Sequence, residues 1–145
     1  MRFILMPMTI HMVKLCVGAD DVGDLVNWQN RLMKTSDRPY HHTRMVPKRG
    51  EELADGGSIY WVIKSIIQVR QRIIAVNEFE DRGGRRACEL VFDKELIMVD
   101  PTPKRPFQGW RYLKPDDVPA DIKSGSAAAE MPAELLHSLK DALVW

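Results

Sequence analysis

The side chains that could do chemistry in this 145-residue chain are basic and aromatic, and most of them fall between residues 41 and 115. His41 and His42 are adjacent imidazoles, a group that titrates near neutral pH and can act as acid, base or metal ligand. Adjacent positions on a strand point to opposite faces, so one ion could hardly take both. His11, His137, Cys16 and Cys88 add no ligand spacing, and the sequence therefore points to no metal site and no cofactor. Arg44 follows the histidine pair. Gln68, Arg70 and Arg72 alternate with Val69, Gln71 and Ile73, which sets two guanidinium groups side by side on one strand face. Such groups grip phosphate or carboxylate bidentately, and they repel one another until an anion or acidic side chains neutralise them. Arg82, Arg85 and Arg86 add charge where Asp81, Gly83 and Gly84 suggest a hairpin tip.

The run from Arg105 to Pro115 is denser still, with three aromatic and three basic residues in eleven positions. Aromatic faces stack on bases while cations hold phosphates, so this composition suits a nucleic acid. In an extended segment Trp110 and Tyr112 share one face and Arg111 and Leu113 the other. The candidate nucleic-acid-binding set is Arg44, Arg70, Arg72, Arg105, Trp110, Arg111 and Tyr112. The plainer alternative has Phe107, Trp110 and Tyr112 anchoring a proline-rich crossing strand to a sheet. No GxGxxG, Walker loop, HExxH, GxSxG or paired CxxC is present. The pairs Gly56-Gly57 and Gly83-Gly84 read as turns, because a phosphate-cradling loop needs more glycines leading into a helix.

The elements that must position these residues are mostly strands. Thr9 to Val17 alternates, with His11, Val13, Leu15 and Val17 on one face and Ile10, Met12 and Cys16 on the other. After Gly18, Asp20 or Asp21 caps a helix whose stripe is Val22, Leu25, Val26, Gln29, Leu32 and Met33. A short strand over His41 to Val46 ends at Pro47, about two helical turns fit Lys48 to Ala54, and Ser58 to Lys64 is a buried strand. Ile66 to Phe79 is one bent strand or two short ones. Its hairpin partner is Arg85 to Phe92, followed by a short strand from Leu96 to Val99 and an extended connection through Pro101, Pro103 and Pro106. This pattern predicts an α+β domain with a small, mostly antiparallel, bent or barrel-like sheet and flanking helices. We expect that single domain over residues 1–122, with 1–7 as an extension ahead of the fold. Residues 123–145 read as a linker and an amphipathic helix striped by Leu135, Leu136, Leu139 and Leu143.

Composition bounds the class. The chain is 45% hydrophobic and carries a net charge of +1, which excludes an acidic disordered chain and a strongly basic tail. Charge is distributed unevenly: Lys and Arg against Asp and Glu number five to four over residues 1–40, fourteen to ten over 41–115, and two to six over 116–145. A basic centre beside an acidic end suits an anionic partner, an end folded back on that centre, or plain solvation. No stretch has the roughly 18 apolar residues of a membrane helix, and the expected compartment is the cytoplasm.

The segments His42-Thr43-Arg44-Met45, Gly56 to Lys64, Arg70-Gln71-Arg72-Ile73 and Arg105 to Pro115 together resemble a family of small bacterial proteins known as a domain of unknown function. That resemblance spans roughly Met8 to Ile122 and implies no reaction, cofactor or catalytic residue. The order of a short helix ending in Gly-Gly, a Tyr-Trp strand and an Arg-bearing strand is also similar to PUA-like domains, including their ASCH and EVE relatives. This second resemblance implies a small β-barrel that often binds RNA or modified bases. Three functional readings follow. The first is a non-catalytic RNA- or nucleotide-binding module. The others are an enzyme on nucleotide or phosphate-bearing substrates, with His42 as acid or base and Arg44 and Arg70 stabilising charge, and a protein-interaction module using the C-terminal leucine stripe.

Overall fold

Strict alternation sets strand β1 (His11–Leu15), where Met12 buries on one face and Val13 on the other. The chain then turns at Gly18, whose φ of 84° suits a residue without a Cβ, into helix α1 (Val22–Leu32). Asp21 caps that helix from an extended backbone, its carboxylate accepting the Asp24 N–H at 2.9 Å. Val22, Leu25 and Gln29 form the buried stripe of α1. This computed structural model describes residues 9–105 and 107–126.

Strand β2 (Tyr40–Thr43) and helix α2 (Gly50–Ala54) follow. Strand β3 (Ser58–Ile63) is buried at every position, as its continuous apolar run requires. Gly57 leads into it under tight constraint, since a Cβ there would lie 2.3 Å from the Ile10 carbonyl oxygen and 2.5 Å from that of Leu53. Strands β4 (Ile66–Glu80) and β5 (Arg86–Pro103) make one long hairpin, and at its turn Asp81 Oδ1 accepts from the N–H groups of Gly83 and Arg85. Strand β6 (Trp110–Leu113), a 3-10 turn over Pro115–Asp117 and strand β7 (Asp121–Ser126) complete the described chain.

The sheet order is β2-β5-β4-β3-β1-β6, with β7 pairing on β5. Among the described strands only β1 and β3 run parallel, so the fold is α+β with a mostly antiparallel sheet. The two strands expected at Arg85 to Phe92 and Leu96 to Val99 are halves of β5. Its free edge takes β2 along the first half and β7 along the second. Pro101 and Pro103 extend β5 instead of forming a separate connection, because alternate residues send their N–H to the same side and the missing donors fall on one edge. Strand β7 runs on to Ser126, past Ile122, where the sequence reading ends the compact core. The expected C-terminal helix lies outside the described residues.

Register bulges interrupt the β3–β4 and β4–β5 ladders, and bulges bend sheets. Strands lie ~4.8 Å apart, so β2 and β3 would be roughly 14 Å apart in a flat sheet. The His41 and Trp61 rings are nevertheless 5.8 Å apart. At the far end of the order, Trp110 Nε1 on β6 donates to the Met45 carbonyl just beyond β2 at 2.8 Å. The Tyr112 hydroxyl accepts from the Arg49 N–H at 3.0 Å. The sheet therefore curls until its ends meet, yet among the described residues no ladder joins β2 to β6 and the sheet stays open. Its concave core gathers Met12, Leu25, Ile59, Trp61, Phe92 and Trp110. The convex core holds Val13, Tyr60, Val62, Ile67 and Val99, with Phe107 and Val118 packed over it. Among the described residues no helix is long and apolar enough to cross a membrane.

Candidate ligand-binding recess

The curl separates the sequence-predicted residues by face. Direct ladder partners share a face, so the rows Arg111–Val13–Tyr60–Arg70 and Ser58–Arg72 place Arg70, Arg72 and Arg111 on the convex side. Trp110 and Tyr112 take the concave side. Trp110 is 5% exposed, edge-on to Tyr112 at 4.9 Å and bonded to Met45. So enclosed a ring offers no face to a base, and the stacking role expected of Trp110 gives way to that of an anchor closing the sheet. Half-buried Tyr112 serves the same closure through its hydroxyl.

On the convex side the chain supplies its own anion. Arg70 Nε and Nη2 each lie 2.7 Å from a carboxylate oxygen of Asp121, and Nη1 donates to Ser58 Oγ at 2.9 Å. This fork holds the Asp121 carboxyl below its ordinary pKa and raises that of the Arg70 guanidinium. His11 Nδ1 accepts the Ser58 N–H at 3.0 Å, which leaves its proton on Nε2 when neutral, and burial aided by the Arg70 charge lowers its pKa. Arg72 and Arg105 are exposed without an ion pair among the described residues. Arg44 reaches Asp81 at 3.6 Å. Arg111 lies 5.0 Å from the centre of the Phe107 ring and Lys104 lies 5.8 Å from it, while Arg49 lies 5.7 Å from the centre of the Tyr112 ring, so Phe107 has two cationic neighbours and Tyr112 one.

The adjacent histidines face opposite ways. His42 is exposed, its Nε2 3.3 Å from Glu89 Oε2, with Phe79 and Tyr40 alongside at 4.9 and 5.3 Å. His41 turns into the concave space, edge-on to Trp28 at 5.7 Å and to Trp61 at 5.8 Å. Burial, reinforced by the Lys14 charge, lowers its pKa to about 4, so its imidazole is neutral at physiological pH.

Lys14 is the functional candidate that the motif search passes over. It pairs across the sheet with Trp61 and Trp110, which directs its side chain into the same concave space, and it is only 8% exposed. It makes no hydrogen bond or ion pair with any described residue. Burial lowers its pKa, opposed by Cys16 nearby. The indole N–H of Trp28 and the ring nitrogens of His41 also have no hydrogen-bond partner among the described residues. Burial pushes the Cys16 thiol up to about 12, which disfavours its thiolate. The signal that could have found Lys14 is parity: it shares its strand face with Ile10, Met12 and Cys16, a lone cation on an apolar row.

An outer cleft of about 410 Å³ is lined by Val17, Gly18 and Ala19 and by Asp24, Asn27, Trp28 and Arg31 of α1, and Trp28 there also meets His41 edge-on. Such a volume suits a small organic ligand. Among the described residues no cluster of three His, Cys, Asp or Glu side chains could hold a metal ion.

A family model described as a protein of unknown function, DUF1489, matches residues 12–145. The chain belongs to the DUF1489 family. No curated protein and no solved structure matches it. The matched DUF1489 span includes Lys14, Trp28, His41 and every candidate arginine, and so contains both the concave recess and the convex basic surface.

Proposed function

We propose that this DUF1489 chain is a non-catalytic module that binds a nucleotide or an RNA, holding a base in the concave recess. One observation carries the reading: Lys14 is nearly removed from water beside aromatic rings and has no acceptor among the described residues. Among the described residues Gln68 Oε1 is the fully buried side-chain polar atom without a partner, so water still reaches the Lys14 ammonium, and an oxygen acceptor of a ligand can take that water's place. Trp28 and His41 supply flat neighbours for a base, and Arg31 in the outer cleft supplies a guanidinium for phosphate. The curled sheet is in keeping with the PUA-like resemblance, which supports an RNA ligand by analogy of fold alone. On the convex side Arg111, Arg105 and Arg72 offer a second basic surface for the backbone of a longer RNA. Arg70 and Arg44, engaged by Asp121 and Asp81, take a smaller part.

Titration of mononucleotides and single-stranded RNA, followed by tryptophan fluorescence and calorimetry, tests this. Lys14→Met should weaken both ligands at least about tenfold, or ~1.4 kcal/mol. Arg111→Ala should weaken RNA alone and reduce its salt slope by about one. No binding of either ligand class at millimolar concentration would refute the reading. The His42–Glu89 contact favours one alternative, hydrolysis of a phosphate-bearing substrate with His42 as base. Turnover that disappears in His42→Ala would establish it instead.

A further inference from the structure

We infer that Phe107 is a stacking platform for one unpaired base of a single-stranded RNA, with Lys104, Arg105 and Arg111 holding the phosphates around it. The inference rests on the RNA-binding reading and adds to it the strandedness of the RNA and a base contact on the convex side, apart from the concave recess. Of the three rings in the run from Arg105 to Pro115, Trp110 and Tyr112 turn to the concave side and are engaged by Met45 and Arg49. Phe107 goes to the convex side, where it is half-buried and packed over Val13, Tyr60, Val62 and Ile67. Packing against that core fixes the ring, and its remaining neighbours are cations: the Arg111 guanidinium at 5.0 Å and the Lys104 ammonium at 5.8 Å from the ring centre.

These cations are not neutralised within the chain. The side chains of Lys104, Arg105 and Arg111 make no hydrogen bond or ion pair with any described residue, whereas Arg70 on the same side is held by Asp121. A cation resting on an exposed aromatic ring is bound more weakly than a stacked base. An incoming base therefore takes the ring, and Arg111, exposed on its long side chain, turns to the adjoining phosphate, which its fork fits. Strandedness follows from the same geometry. A duplex keeps its bases stacked on one another and offers the ring no face, so it meets the cations alone.

Calorimetry on the full chain should compare a short single-stranded RNA, the duplex it forms with its complement, and polyphosphate, which carries the charge without bases. Phe107→Leu, its fold checked by thermal melting, should weaken the single strand about tenfold with its salt slope unchanged and leave duplex and polyphosphate as they were. Phe107→Tyr should retain the wild-type affinity. Equal losses for all three ligands, or none for the single strand, overturn the stacking role and leave RNA binding standing. Photocrosslinking of a thiouracil-bearing strand to the wild-type chain needs no variant: a crosslink at Phe107 or its neighbours is expected, and crosslinks confined to other segments overturn the inference. If mononucleotides bind and no RNA does, the inference falls and the nucleotide reading stands; if neither binds, both fall.

Discussion

Protonating His41 would place a second positive charge beside Lys14 inside the curled sheet, and the fold resists it. The unfolded chain takes up this proton below about pH 6.5, while the folded chain does so only near pH 4. Between those values the unfolded state holds the extra proton, so stability falls as pH drops from 6.5 toward 4 and this contribution levels off below. The full effect is on the order of 3 kcal/mol. Urea unfolding at a series of pH values should show that loss in the wild type and a shallower one in His41→Gln, with His11 supplying part of the remaining slope. Parallel curves for the two proteins would contradict the assignment. At this scale the sequence was half legible. The histidine pair announced itself, but which imidazole turns inward depends on strand parity against a partner strand, and the isolation of Lys14 depends on neighbours from β3 and β6. The Arg70–Asp121 fork was equally hidden, since its two residues lie on strands separated by β5.

Helix α1 is fastened to the sheet by a polar joint. Gln29 and Gln71 exchange amide hydrogen bonds at 2.8 and 2.7 Å, and Gln71 also takes the Trp61 N–H and donates to the Asp93 carbonyl. Both glutamines are buried, so removing one leaves its partners without alternatives. Gln71→Leu should cost about 2–4 kcal/mol by chemical denaturation. The double variant Gln29→Leu with Gln71→Leu should cost about 1–2 kcal/mol less than the sum of the singles. Additive losses would show that the two amides do not act as a unit. Element types followed well from periodicity, including the Asp21 cap and the bent β4. The continuity of β5 did not, because Asp93, Lys94 and Glu95 interrupt its apolar alternation, and its ladder with β4 shifts register there before resuming at Leu96. Gln29 could be placed on the stripe of α1, but its buried partner could not be named from spacing alone.

Two contacts hold the ends of the curled sheet together. Trp110→Phe removes the bond to the Met45 carbonyl and Tyr112→Phe the bond from the Arg49 N–H. Each should cost about 1 kcal/mol, and both should weaken nucleotide binding although neither ring is proposed to touch the ligand. Unchanged affinity in the double variant would separate closure from binding. A bent sheet was legible in the β-rich, bulge-prone middle of the chain, whereas the meeting of its ends needs three-dimensional register. The long β4–β5 hairpin has its own consequence. Its strands can zip from the Asp81 turn, whereas β1 must find β6 across nearly the full described chain, pairing Met12 with Tyr112. Short loops close readily and chain-spanning ones late, because more entropy is lost before contacts reward it. In a refolding experiment the β-sheet signal should therefore rise ahead of ligand competence: Lys14 comes to face its aromatic neighbours only when the last strand docks, and a half-folded chain has no recess with which to bind.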